Sequence, residues 1–321
     1  MLRVLALAAA TIIAVAAPGH AADKFPQRTI RIVVPFAAGG GVDTLARMLA
    51  DRMKTDLGTA VIVENKGGGN GTIGGSAVLQ SAPDGYTLLF SANTHVMAKL
   101  VMANAPYDPL TDFTPIARVG RAPLLFVISP KLPQDTLAEV AEAAKAKPNN
   151  WTAATAALGS PGHIAEIAFN QITKANITIT PYRGTAPALT DVAGGNVQML
   201  IDSMIVLLPM AKAGNVKAVA ITASQRSALA PEIPTAADSG VPGLEVYSWY
   251  GLWGPRGLPA DIVSTLHEAA NRAARELEEA GQLQKLGIEM VNETTSQFAS
   301  AAENEVRRNS ALLNSVGFKP E

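Results

Sequence analysis

A strand, a glycine-ended turn and an amphipathic helix follow one another near the start of the chain. Residues 29–36 are mostly apolar and β-branched, residues 37–41 end in three glycines, and apolar side chains from Leu45 onward recur at the helical spacing of 3.6 residues. The same order then repeats, with strands and a second glycine loop at residues 61–63, 67–71 and 87–90. Strands that alternate with helices are typical of a mainly parallel sheet covered on both faces, so the pattern predicts an α/β fold.

A second series of the same kind begins near residue 124 and predicts a second α/β unit. Its expected strands lie at residues 124–128, 151–154, 177–180, 199–201 and 216–222. Two joined units indicate a two-lobed periplasmic binding protein fold, in which each lobe is a mainly parallel sheet flanked by helices. We place lobe 1 at residues 22–123 and 236–321 and lobe 2 at residues 124–235. The ligand cleft is expected between the lobes, at the carboxyl ends of the strands.

Composition excludes several classes of protein. The chain has 321 residues, a formal net charge of −1, four histidines and no cysteine. A nucleic-acid binder usually carries a basic stripe, which this charge balance does not favour. Without cysteine there is no disulfide, iron–sulfur cluster, zinc finger or cysteine nucleophile. We therefore expect no nucleic-acid partner, no metal site and no cofactor.

The first 21 residues have the pattern of a secretory signal peptide. Arg3 is followed by a short apolar, alanine-rich run and then by the small residues Gly19 and Ala21. We predict cleavage after Ala21 and export to the periplasm. A membrane anchor is the alternative, but the apolar run is shorter than the roughly 20 residues that span a bilayer.

The first glycine turn is a candidate ligand site. Glycines allow a ligand to approach the backbone closely, and a helix N-terminus offers unpaired N–H groups with partial positive charge, which suit a carboxylate or phosphate. The dinucleotide fingerprint fails, because position 44 is Thr. A plain tight turn is the alternative. From the first unit we assign these ligand residues: Phe36, Ala37, Ala38, Gly39, Gly40, Asp43, Ser91 and Asn93.

The second unit contributes three further loops. Ser160 suits an N-cap and precedes Pro161, which indicates a helix start facing the cleft. A Gly-x-Ser-x-Gly elbow is absent because position 158 is Leu, so a Ser160–His163–Asp202 triad has weak support and we assign no catalytic residue. His163 and Asp202 each have a loop-bracing alternative. The ligand residues assigned here are Gly159, Ser160, His163, Tyr182, Gly184, Thr185 and Asp202.

Two features have open interpretations. Arg183 could clamp a carboxylate through two parallel hydrogen bonds, or it could be an ordinary surface arginine. The loop at residues 65–71 lacks the Gly-Lys-Ser/Thr ending of a nucleotide-binding loop, so it either shapes the rim of the cleft or is structural.

These loops carry a family resemblance. The matching segments, in order, are residues 26–36 with 38–40 and Asp43, 63–66, 82–88, 113–117, 159–160 with His163, 182–185, 234–236 and 249–255. Their order and spacing resemble those of the extracytoplasmic receptors of tripartite tricarboxylate transporters, the Bug family. One departure lies in the glycine loop, where residues 65–71 read Asn-Lys-Gly-Gly-Gly-Asn-Gly in place of the usual Asn-Arg-Pro-Gly-Ala-Gly-Gly.

The resemblance implies a function. Receptors of this family bind small solutes, many of them carboxylates, between two lobes through backbone amides and waters. They hand the solute to a membrane permease of two other subunits. We therefore expect a non-enzymatic, monomeric receptor for a small organic anion. Two alternatives remain open: an exported ligand sensor that signals to a membrane sensor kinase, and a secreted α/β hydrolase.

Overall fold

The computed structural model describes residues 25–321, so the predicted signal peptide and its cleavage site lie outside the described residues. The strands of this part are Ile30–Val34 (β1), Val61–Asn65 (β2), Thr87–Ala92 (β3), Phe113–Ile128 (β4), Thr152–Thr155 (β5), Thr178–Pro181 (β6), Met199–Ser203 (β7), Lys217–Ile221 (β8), Tyr247–Pro255 (β9) and Glu289–Met290 (β10). The helices are Gly41–Leu57 (α1), Thr72–Leu79 (α2), Ala98–Val101 (α3), Leu137–Ala146 (α4), Pro161–Thr173 (α5), Thr185–Gly194 (α6), Met204–Lys212 (α7), Ala260–Glu279 (α8), Gln282–Lys285 (α9) and Thr295–Ser315 (α10).

Strand β4 links two halves of one connected sheet. The strand order is β2-β1-β3-β9-β4-β7-β5-β6, and β8 and β10 also pair with β4. Residues 113–123 of β4 pair with β9, whereas residues 124–128 pair with β7 and β8. We call β1, β2, β3, β9, β10 and the first part of β4 the first half-sheet. The second half-sheet consists of β5 to β8 and the last part of β4.

The sheet is mixed, in contrast to the mainly parallel sheet expected from the sequence. β1 pairs in parallel with β2 and β3, and β5 pairs in parallel with β6 and β7. Every pairing of β4 and β9 is antiparallel. These two strands carry the chain between the half-sheets. Each runs antiparallel to the strands beside it. The parallel βα units therefore lie at the outer sides of the sheet.

The helices pack on the sheet through their apolar faces. In α8, side chains from Leu266 to Leu277 are buried at intervals of three and four residues, and they share a core with Ile30 and Leu49 of the first half-sheet. The second half-sheet has its own core around Phe126. The lobe boundaries stay a prediction. Residues 236, 241 and 244, which that prediction assigns to lobe 1, pack in the core around Phe126.

Two features of the described residues bear on the class of protein. None of the helices within residues 25–321 has the length and apolar character that crossing a membrane requires. The same residues contain no group of three or more His, Asp or Glu side chains that could hold a metal ion.

Candidate functional site

Four helices begin around one cavity between the half-sheets. Its walls include the first residues or the caps of α1, α5, α6 and α7, and the free space among them is about 40 Å³. The first four N–H groups of an α-helix have no partner within the helix, so a helix start presents hydrogen-bond donors and partial positive charge. These helix starts therefore give the cavity hydrogen-bond donors that suit a negatively charged group.

The start of α1 leaves its backbone donors available. Gly40 is the N-cap and supplies no side-chain hydrogen bond to the helix. Its φ of −79° and ψ of 169° are open to any residue, whereas Gly39, at φ +84°, adopts a conformation that favours glycine. Gly39 therefore turns the chain, and Gly40 brings the uncapped helix start to the cavity.

The buried carboxylate of Asp43 stabilises this turn through hydrogen bonds. One carboxylate oxygen accepts hydrogen bonds from the Gly39 N–H at 2.9 Å and from Arg47 Nε at 3.1 Å, and the other accepts from Asn65 Nδ2 at 2.9 Å. Burial alone would raise the pKa of the Asp43 carboxyl, but the bonds from Arg47, Gly39 and Asn65 outweigh it and hold the pKa below its usual value. Asp43 is therefore charged, and its charge is compensated locally. Asn65 also donates to the Phe36 carbonyl at 3.1 Å, which ties β2 to the turn.

Hydrogen bonds of Ser160 and His163 stabilise the loop that leads into α5. The Ser160 hydroxyl accepts the His163 N–H at 3.1 Å, and His163 Nδ1 accepts the Gly159 N–H at 3.0 Å. Burial lowers the pKa of His163 to about 4, so the ring is neutral. Because the ring faces Gly159, it is not placed to take a proton from the Ser160 hydroxyl. The weak triad idea therefore finds no support in the geometry.

The carboxylate of Asp202 accepts hydrogen bonds from the starts of both α6 and α7. Gly184 leaves α6 without a side-chain cap. Asp202 accepts the Thr185 hydroxyl at 2.7 Å and the Ser203 N–H at 2.7 Å. Burial raises the pKa of Asp202, and the bonds from Ser203 and Thr185 lower it by less. This carboxyl consequently favours its neutral form more than an exposed aspartate does.

Tyr250 connects the two half-sheets at the cavity. It lies on β9, is 1% exposed, and donates its hydroxyl to Ser203 Oγ at 2.8 Å. Ser203 in turn accepts the N–H of Ile205 at 3.3 Å and so caps α7. Burial raises the pKa of Tyr250 to about 12, so its hydroxyl keeps its proton and remains a donor.

Eight of the fifteen predicted ligand residues line the cavity: Phe36, Ala37, Gly40, Asp43, Ser160, Gly184, Thr185 and Asp202. The other seven lie around it. Ala38 and Gly39 are exposed in the first turn, Gly159 and His163 are buried behind Ser160, and Ser91 is fully buried in β3. Asn93 faces α10, where it donates to Glu305 at 3.1 Å, and the Tyr182 hydroxyl donates to Asp191 at 2.6 Å. Ligand contact by any of these residues stays a prediction.

Several lining residues escaped the sequence analysis. The polar residues Thr94, Ser203, Ser248 and Tyr250 also line the walls. Ser203 directly follows Asp202, and its capping role could have been read from the pattern of a strand followed by a serine. Nothing in the strand around Tyr250 indicates which of its alternating faces points to the cleft.

A second cavity adjoins the first. Its free volume is about 230 Å³, and Phe36, Ala156 and Ala157 line both. Its other walls are the glycine loop at residues 68–71, Leu158 and residues 181–183, so Arg183 lines this cavity and not the first one. The two cavities together could hold an anionic group and an attached apolar body.

Comparisons with known proteins agree with this geometry. The sequence profile of the "Tripartite tricarboxylate transporter family receptor" matches residues 45–318. Protein BugT of Bordetella pertussis is 35% identical over 307 residues, which cover 95% of this chain and 94% of BugT.

Solved structures give the same result. The periplasmic binding protein BugD is similar with a TM-score of 0.87 and 33% identity, covering 92% of this chain and 100% of BugD. The R. palustris protein Rpa4515, solved with adipate, has a TM-score of 0.88 and 33% identity, again covering 92% of this chain and 100% of that protein. The chain therefore has the periplasmic binding protein fold and belongs to the tripartite tricarboxylate transporter receptors of the Bug family, which are solute-binding proteins and not enzymes.

Proposed function

We propose that this receptor captures a small carboxylate-bearing solute in the periplasm and delivers it to a tripartite tricarboxylate-type permease of two membrane subunits. The observation that carries the proposal is the convergence of four helix starts, from both half-sheets, on one cavity. Two of these helices, α1 and α6, begin without a side-chain cap. Their unpaired N–H groups are donors that an anion can satisfy.

The carboxylate group belongs at the helix starts, and the body of the solute belongs in the adjoining cavity. The first cavity has room for little more than such a group, whereas the second offers about 230 Å³ between Phe36 and the glycine loop. Adipate, bound by the relative Rpa4515, is a carboxylate with an apolar chain of this kind. We propose that the eight cavity-lining residues of the sequence analysis contact the solute, and that the other seven position them.

Binding is tested by a thermal-shift screen followed by calorimetry. The purified protein is screened against mono-, di- and tricarboxylates, amino acids and aromatic acids. A ligand present at 100 times its Kd adds about 2.7 kcal/mol to the free energy of unfolding. We expect a carboxylate to bind with one-to-one stoichiometry and to be recovered unchanged. Failure of every carboxylate in the screen to bind would contradict the proposal.

Export is a separate part of the proposal. We propose that the chain is cleaved after Ala21, that residues 22–123 with 236–321 and residues 124–235 act as two lobes, and that the mature receptor is a monomer. Amino-terminal sequencing of protein from the periplasmic fraction tests the cleavage site. Recovery of soluble protein that still begins at Met1 would contradict it. Light scattering of the same sample measures the mass in solution.

A further inference from the structure

The end of α10 fixes the place of Phe318. Just beyond the helix, the Phe318 N–H donates to the Leu313 carbonyl at 3.0 Å, and the Gly317 N–H donates to the Asn314 carbonyl at 3.1 Å. Gly317, at φ +67°, supplies the left-handed residue that this type of helix end needs. The residue after that glycine turns back towards the last helical turn, and Phe318 accordingly packs in the same apolar cluster as Leu313.

The side chain of Phe318 contacts the second half-sheet. α10 itself belongs with the first half-sheet, because its Phe298 packs with Trp253 of β9. The ring of Phe318 meets the ring of His163 edge to face, with the centroids 5.6 Å apart and the planes at 69°. His163 lies on α5, which covers the second half-sheet. The aromatic pair therefore joins the two halves of the molecule.

A second contact between the halves lies beside this pair. A Cβ atom at Gly159 would be 2.7 Å from Met97 Cβ and 3.2 Å from Val101 Cγ1, so the loop before α5 touches the first half-sheet where it has no side chain. The Glu321 N–H donates to the Val101 carbonyl at 3.1 Å, and the Ala103 N–H donates to the Glu321 carbonyl at 2.9 Å. These backbone bonds tie the segment after α10 to the same part of the first half-sheet.

Phe318 is connected to the ligand site through His163. The Nδ1 atom of His163 accepts the Gly159 N–H at 3.0 Å, and the His163 N–H donates to Ser160 Oγ at 3.1 Å. Ser160 lines the cavity. A protonated imidazole has an N–H donor at both nitrogens, so only a neutral ring can accept the Gly159 N–H. The loop therefore depends on keeping His163, which is 2% exposed, away from water.

We propose that Phe318 is a positioning residue for the solute: it covers His163 and so holds the Ser160 helix start in the geometry that receives a carboxylate. The inference rests on the proposed function, because it concerns the same cavity. It assigns a role in binding to a segment, residues 316–321, that lines neither of the two cavities. Because the aromatic pair joins the two half-sheets, it stabilises the arrangement in which they enclose the solute.

The first test needs no ligand. The ring signals of His163 are titrated by NMR from pH 5 to pH 8 and are assigned by their absence from His163→Asn. Burial lowers the pKa of His163 to about 4, so the wild-type ring should stay almost entirely neutral over this range. In Phe318→Ala, water reaches the ring and its pKa should rise towards the ordinary value of about 6.5, so its signals should titrate. Signals that stay unchanged in Phe318→Ala would overturn the proposal.

Two matched variants separate the ring from its segment. Val316→Ala shortens a side chain of the same segment that is 42% exposed, and His163 should titrate as in wild type. Phe318→Tyr keeps the ring and should also preserve the wild-type titration. Lys319, beside Phe318, and Glu166, one turn after His163, are the same in all these proteins, so a shift reports loss of the ring. The same shift in Val316→Ala as in Phe318→Ala would mean general loosening of the segment and would refute the role of Phe318.

The second test is affinity. Malate and adipate are titrated by calorimetry at pH 8, where the ring should be neutral in every variant. Phe318→Ala should bind about two- to tenfold more weakly, the contribution of one aromatic pair, whereas Val316→Ala and Phe318→Tyr should bind like wild type. Stopped flow should place the loss in the dissociation rate, and circular dichroism checks that each variant is folded.

The two tests also separate this inference from the proposed function. Equal affinity of wild type and Phe318→Ala for either acid would overturn the inference and leave the proposed function standing. If the wild type binds neither acid, the NMR titration still decides whether Phe318 protects His163.

Discussion

The side-chain amide of Asn70 donates a hydrogen bond to the Leu158 carbonyl at 2.7 Å. Asn70 lies in the glycine loop that precedes α2 on the first half-sheet, and Leu158 lies in the loop that precedes α5 on the second. The bond therefore joins the two sides of the cleft, beside the adjoining cavity that both residues line. Asn70 sits at φ +56°, a conformation that asparagine tolerates better than most residues.

We predict that Asn70→Gly speeds release of the solute. Glycine accepts the positive φ without strain, so the substitution removes only the amide and its bond to Leu158. One such hydrogen bond contributes about 0.5–1.5 kcal/mol, so the dissociation rate should rise by about two- to tenfold. Stopped-flow measurement of dissociation checks the rate. Small-angle scattering should show a smaller radius of gyration with bound solute in wild type and a weaker change in the variant.

Asn70→Asp is the matched comparison for loss of the Asn70–Leu158 hydrogen bond. Aspartate keeps the tolerance for positive φ but presents an acceptor to the Leu158 carbonyl, so release should be at least as fast as in Asn70→Gly. Dissociation rates equal to that of wild type in both variants would mean that the bond does not hold the cleft closed.

Substitution of Gly40 should abolish binding without unfolding the protein. The backbone of Gly40 is open to valine, and an added Cβ would lie 3.7 Å from Thr185 Oγ1, an ordinary contact. The two γ-methyl groups of Gly40→Val would instead enter the cavity where the solute must approach the helix start. Calorimetry should show no measurable binding, with an unchanged circular dichroism spectrum. Gly40→Ala should bind more weakly than wild type, and normal binding by Gly40→Val would contradict the role of this helix start.

Arg183 and Ser160 should differ in their effect on affinity. Ser160→Ala removes a cavity hydroxyl and the cap of α5, and these contribute about 0.5–1.5 and about 1 kcal/mol, so affinity should fall by at most about ten- to seventyfold. Arg183 is exposed and lies at the adjoining cavity, so Arg183→Ala should cost less than Ser160→Ala. A loss in Arg183→Ala that exceeds the loss in Ser160→Ala would indicate a guanidinium clamp on the solute.

Tyr250→Phe should weaken the junction of the half-sheets. The change removes the hydroxyl that donates to Ser203 and keeps the buried ring. Ser203 still caps α7 through the Ile205 N–H, so the loss should be about 0.5–1.5 kcal/mol in the free energy of unfolding. Urea denaturation at neutral pH measures this difference. An unchanged midpoint would show that the hydroxyl bond adds nothing to stability.

Local features of the sequence predicted most of the elements. Glycine turns, β-branched runs and helical periodicity correctly predicted β1, α1, β2, α2 and β3 because each is specified by its own residues. Two of the missed elements show the physical reason. The first part of β4 carries Arg118 and Arg121, whose partners Glu293 and Glu289 are distant in the chain, and α7 follows β7 without a loop. Strand direction depends on such distant pairings, which is why the mixed sheet was not foreseen.

The same distinction applies to the candidate site: features marked by nearby residues were predicted, and contacts between distant residues were not. Helix starts near Gly41, Gly184 and Ser160 were predicted because glycine and serine mark them locally. Tyr250 was missed because its contact with Ser203 joins strands that are far apart in the chain. The resemblance indicated the family, but only the fold shows that His163 faces Gly159 and so braces the loop.

His95 should make the protein less stable in acid. It is buried among Tyr107, Phe113 and Trp253, with ring centroids 5.6, 4.6 and 4.9 Å away, and its Nε2 atom has no hydrogen-bond partner among the described residues. Burial lowers its pKa to about 3. An unfolded histidine has a pKa of about 6.5, so the unfolded state binds more protons than the folded state between these values. Stability is therefore retained above pH 6.5 and lost as the pH falls towards 3, by up to about 1.4 kcal/mol per pH unit.

The variant His95→Phe tests this pH dependence. Phenylalanine fits an aromatic cluster and has no charge to acquire, so the variant should lose less stability than wild type between pH 7 and pH 4. His163 acts in the same direction as His95, because its pKa is also lowered, whereas the raised pKa values of Glu166 and Asp202 act in the opposite direction. These three groups are common to both proteins, so the difference between the two urea-denaturation curves isolates His95. A difference that stays constant across this pH range would contradict the prediction, because it would show that the effect of residue 95 does not depend on its protonation.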